Sequence, residues 1–160
     1  MSDAVYCSCA SESQSNAILT HLRNAGFGSE ISVFLKNRSD TKEMSLNENA
    51  VRGVEVGSVI GALVSLAVPG IGPALALGPI LATLSGAAAG GAVGGLMGGT
   101  GAFRPLHLPE DIADRIQHEV TEGNILIAVH SDDPEKLSQA LTIFRKEDAD
   151  EIWDSRQEAA

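Results

Sequence analysis

The chain has 160 residues, of which 44% are hydrophobic and 20% charged, and its formal net charge is −10. This bounds it to one domain with an insertion, and so acidic a balance disfavours nucleic acid and anionic head groups, which reward Lys/Arg clusters. Two cysteines, Cys7 and Cys9, lie too close together for a disulfide framework, and the N-terminus MSDAVYCSCASES has neither the basic region nor the apolar run of a secretory signal.

The first element expected is a strand, Ala4 to Cys9, with Val5, Cys7 and Cys9 alternating against Tyr6 and Ser8. Cys7 and Cys9 then share a face and read as small core residues rather than a metal or redox pair. Ser11 with Gln14 forms a capping-box pattern opening a helix that runs to about Ala25, buries Ala17, Ile18, Leu22 and Ala25, and stops at Gly26. A second strand follows at Ile31–Leu35. Polar residues from Lys36 to Asn49 form a linker or loop.

From Val56 to Phe103 no residue is charged. Within this stretch Ala82, Gly86, Gly90, Gly94 and Gly98 recur every fourth position, and a second row runs Ala87, Gly91, Gly95 and Gly99. On a helix, that spacing makes a bare stripe against which another backbone can pack closely. The segment reads as two antiparallel helices, roughly Ala50–Val68 and Pro79–Gly99, broken by Pro69-Gly70-Ile71-Gly72-Pro73. The first carries its own pair, Gly57 and Gly61, continued by Ser65. Eight glycines between Gly86 and Gly101 would cost a lone helix about 6–8 kcal/mol, so a partner has to supply the missing stability. Gly57, Gly61, Ala82, Gly86, Gly90, Gly91, Gly94, Gly95, Gly98 and Gly99 are therefore the expected self-association residues. The second limb would span about 30 Å, enough for a bilayer, but the charge-free part of the first only about 20 Å.

After the insertion, Pro109, Glu110 and Asp111 suit the start of a helix that buries Ile112, Ile116 and Val120 and stops at Gly123. Asn124–His130, NILIAVH, reads as a central strand covered on both faces. Asp133 and Pro134 fit an N-cap and first helical residue, and the helix packs Leu137, Ala140, Leu141 and Phe144. A short strand, Ala149–Trp153, closes the order. The acid-rich stretch Glu147 to Glu158 reads as a solvated surface.

Without residues 40–122 the order is β-α-β, β-α-β: an α+β, ferredoxin-like antiparallel four-stranded sheet with two helices on one face, interrupted by a glycine-rich apolar helical hairpin. The expected divisions are 1–39, the first βαβ half; 40–55, a linker; 56–103, the glycine-zipper hairpin; and 104–160, a helix plus the second half.

The zipper segment containing VPGIGPALALGPI and the C-terminal GNILIAVHSDDPEKL resemble the bacterial general-stress, heat-induced protein family over nearly the whole chain. His107-Leu108-Pro109 stands where many such sequences carry Gly-Ile-Pro. The resemblance implies a small stress-associated protein without an established catalytic site.

The residues support the same expectation. No Ser/His/Asp order, P-loop, dinucleotide fingerprint or zinc spacing is present, and His130-Ser131-Asp132-Asp133 reads as a strand end entering a helix cap. The leading expectation is a non-enzymatic, cofactor-free stress protein that assembles with itself as a ring, stack or filament. It would be cytoplasmic or associated with inner-membrane lipid, with both termini cytoplasmic. The rival is a soluble ferredoxin-like carrier or sensor holding a lipid or quinone between hairpins.

Overall fold

The computed structural model describes residues 3–36, 64–68, 72–80 and 108–156. Among these, six strands form one antiparallel sheet: β1 (Asp3–Cys9), β2 (Ile31–Lys36), β3 (Val64–Val68), β4 (Gly72–Leu77), β5 (Ile125–Ser131) and β6 (Glu151–Asp154), in the order β3-β4-β2-β5-β1-β6. Three helices accompany them: α1 (Glu12–Asn24), α2 (Glu110–Thr121) and α3 (Pro134–Lys146). The fold class is α+β. Every strand and helix expected outside the insertion is present, with ends shifted by up to two residues.

β5 lies between β2 and β1 and is buried from Ile125 to Val129, as its unbroken hydrophobic run predicts. Both sheet faces carry a core. On one, α1 supplies Ile18, Leu19 and Leu22, and α3 supplies Leu137, Ala140, Leu141 and Phe144, against Val5, Cys7, Cys9, Val33 and Ile127. On the other, α2 supplies Ala113, Ile116 and Val120 against Ala4, Tyr6, Phe34, Leu126 and Ala128. Two details of α1 depart from expectation: Ala25 is exposed and Ala17 half-buried, while Leu19 takes the core position.

Each helix ends in the same hydrogen-bonded loop. Phe27 N–H donates to Leu22 O, Asn124 N–H to Glu119 O, and Ala149 N–H to Phe144 O, each with a second, shorter-range bond inside it. This Schellman arrangement needs a left-handed residue just past the C-cap. Gly26 and Gly123 provide it at φ 95° and 99°, and Asp148 provides it at 53°. At the start of α1 only half the capping box forms. Gln14 N–H donates to Ser11 Oγ at 3.2 Å, but the Gln14 side chain donates to the carbonyls of Glu147 and Asp148, tying α1 to the end of α3.

The insertion holds the main correction. Of the helix expected over Ala50–Val68, residues 50–63 lie outside the described residues, and Val64–Val68 is a strand, paired through Val64↔Ala76 to Val68↔Gly72 with a second strand, Gly72–Leu77. The four-stranded sheet is thereby widened to six, and the Pro/Gly break joins two strands rather than two helices. The physical reason is the side of β2 that faces away from β5. Its backbone donors and acceptors need partners, and β4 provides them from Lys36↔Ala74 to Val33↔Leu77. Pro73, which has no N–H to donate, falls one residue beyond that pairing and so fits the strand.

Candidate functional site

The expected self-association residues Gly57, Gly61, Ala82, Gly86, Gly90, Gly91, Gly94, Gly95, Gly98 and Gly99 all lie outside the described residues. What is described is the stretch of chain just before Ala82, where the first row begins. At the end of β4 the chain turns at Gly78, with φ 82°. A Cβ there would stand 2.2 Å from the carbonyl oxygen of Ile31 and 2.9 Å from Cα of Ser32. Only glycine permits this approach. Two residues on, Ile80 N–H donates to Ser32 Oγ at 3.0 Å, and the Ile80 side chain enters the α2-side core. Ala82 thus follows a point pinned to β2 by a close backbone approach, a buried hydrogen bond and an apolar anchor.

A second polar feature holds α2 to the sheet. Glu119 accepts from Ser8 Oγ of β1 at 3.0 Å and from Asn124 Nδ2, and Arg115 pairs with Glu151 of β6. Beside it, three rings line adjacent strands. Tyr6 of β1 stands opposite Trp153 of β6 in register, and its ring meets His130 of β5 edge-on with centroids 6.1 Å apart. Burial pushes the Tyr6 phenol up to about 12 and the His130 imidazole down to about 4, so both are neutral near pH 7. Among the described residues, buried His130 Nε2 and Trp153 Nε1 have no hydrogen-bond partner.

The remaining reactive candidates serve the fold. Cys7 lies in the core, and burial raises its thiol well above the ordinary value, which leaves it protonated and poorly nucleophilic. In His130-Ser131-Asp132-Asp133, Ser131 Oγ accepts from Asp133 N–H at 3.1 Å and Asp133 Oδ1 accepts from Glu135 N–H at 2.9 Å. The motif closes the strand and caps α3, as its sequence predicts. Among the described residues no group of three or more His, Cys, Asp and Glu could hold a metal ion, and no helix is long and apolar enough to cross a membrane.

Sequence reasoning missed Ser32, Gly78 and the role of Glu119. Gly78-Pro79 after an alternating run was a legible turn signal. Nothing local marks Ser32, whose partner lies 48 residues away, or the bond from Glu119 to Ser8, 111 residues away. No protein-family model, curated protein or solved structure matches the chain.

Proposed function

We propose that this chain is a non-enzymatic protein that assembles with itself, its charge-free segment packing copy against copy while a ferredoxin-like unit carries it. The strand order β2-β5-β1-β6 supports that unit, with β1 and β2 parallel across β5, β5 and β6 parallel across β1, and α1 and α3 on one face. One observation carries the assembly reading. The four-residue recurrence from Ala82 to Gly98 sits in a segment without a single charge, in a chain whose net charge is −10.

The rigid root at Gly78–Ile80 adds to the case, because a fixed point of departure lowers the entropy lost when segments pack together. Residues 64–68 and 72–77 belong to the sheet, so they are not part of a membrane hairpin. Assembly is therefore assigned to contact between copies, with association to membrane lipid kept as a further property of the glycine rows. Cys7 and Cys9, buried and free of any disulfide, fit a reducing cytoplasm. The motif resemblance to the bacterial general-stress family supports a role under stress.

Gly90→Leu and Gly94→Leu test the reading. Each should shrink the particle measured by light scattering while the circular dichroism of the sheet is retained. Unchanged size for both would overturn it.

A further inference from the structure

We propose a second contact between copies, separate from the glycine rows: β3 pairs edge to edge with β3 of another copy, antiparallel and about a two-fold axis, joining two six-stranded sheets into one. Among the described residues β3 is hydrogen-bonded on one side only, to β4. Among the described residues nothing pairs with its outer edge, whereas natural proteins usually guard such an edge with charge, proline or a bulge. β3 has none of these. Val64-Ser65-Leu66-Ala67-Val68 carries neither charge nor proline, and its pairing with β4 runs one residue to one residue over all five positions.

The opposite edge of the sheet is built differently. β6 has four residues, with Glu151 at one end paired to Arg115 and Asp154 at the other clamped by Arg156. Arg156 reaches both carboxylate oxygens, at 2.9 and 2.7 Å, and also donates to Pro134 O at 3.3 Å. Among the described residues one edge is guarded and the other is not.

The occupant is a second copy for two reasons. Copies of a chain at −10 repel wherever their charges meet, and β3 lies within the charge-free stretch, with Glu55 and Arg104 the nearest charges along the sequence. The strand is also self-complementary. Pairing all five residues about a two-fold axis sets Leu66 against Leu66, the small Ser65 against the small Ala67, and Val64 against Val68. Such an isologous contact closes at two copies. Glycine-row packing would then join pairs into larger particles.

The test uses the full chain carrying Leu66→Lys or Leu66→Glu. On the axis, either variant brings two like charges together, so each alone should lose the two-copy species in sedimentation equilibrium. Mixing a tagged Lys variant with an untagged Glu variant should restore a one-to-one pair, recovered on the tag. Leu66→Cys should give a disulfide-linked dimer on mild oxidation, which decides the matter if the charged variants fail to fold.

Association unchanged in folded Leu66→Lys and Leu66→Glu, a mixture of the two folded variants that does not pair, or no Leu66→Cys dimer would overturn the proposal. The glycine rows are tested apart from it. Gly90→Leu should leave the β3 pair intact and remove only the larger particles. Loss of large particles there with unaltered behaviour of the Leu66 variants would sink the edge contact and keep the glycine contact; the reverse pattern would do the opposite.

Discussion

Ser32 Oγ, fully buried within β2, accepts the backbone N–H of Ile80 at 3.0 Å across 48 residues of chain. This one bond satisfies a buried donor and fixes where the insertion leaves the sheet. Ser32→Ala should destabilise the fold by about 1–3 kcal/mol, the cost of leaving a buried N–H unmet. Urea unfolding at pH 7 measures it, and a loss below about 0.5 kcal/mol would show that another group takes over the N–H.

Gly78→Ala is expected to be worse. The left-handed backbone alone costs a non-glycine residue roughly 1–2 kcal/mol, and the added Cβ would overlap the Ile31 carbonyl oxygen at 2.2 Å. The β4 end must move to relieve it. Faster amide exchange at Ile80 than at Ile127 in the variant would locate the damage at this junction.

Asp148→Gly should raise stability. Asp148 occupies the left-handed position past α3 at φ 53°, where α1 and α2 use Gly26 and Gly123. Glycine removes a strain of about 1 kcal/mol there. The Gln14 bond to the Asp148 carbonyl involves only backbone on that side and survives the change. A higher denaturation midpoint with an unchanged m-value is the expected readout.

Acid should weaken the protein through His130. Burial lowers its pKa from 6.5 to about 4, so the unfolded chain takes up the proton near pH 6.5 and the folded one only near 4. Between those values the unfolded state binds more protons, and this stability contribution falls as pH drops from about 6.5 to about 4. Below that both states are protonated and the effect levels off. His130→Gln should flatten this part of the stability profile, which unfolding at pH 7 and pH 4.5 can compare.

Glu119→Ala should loosen α2. Ser8 Oγ and Asn124 Nδ2 both donate to that carboxylate, and Ser8 is buried. A loss of about 1–3 kcal/mol is expected, with exchange protection falling first at Val120 and Ile116. Equal loosening of α1 would argue that the two faces of the sheet unfold together.

What could be read from the chain alone was whatever short-range chemistry specifies. Asp133-Pro134 capped α3 as expected, and Leu137, Ala140, Leu141 and Phe144 filled its core face at helical spacing. Ile125–Val129 became the covered central strand. These follow from local dihedral preference and apolar period, which a sequence displays directly. The glycine rows were equally plain as a pattern.

The tertiary structure alone decided the rest. Val64–Val68 could be a helix by its neighbours or a strand by its alternation, and the unpaired side of β2 settled the matter through β4. Ser32 and Gly78 took their roles from backbone brought in from a distant part of the chain. Burial and hydrogen-bond satisfaction depend on what arrives in space, and sequence neighbours carry no record of that.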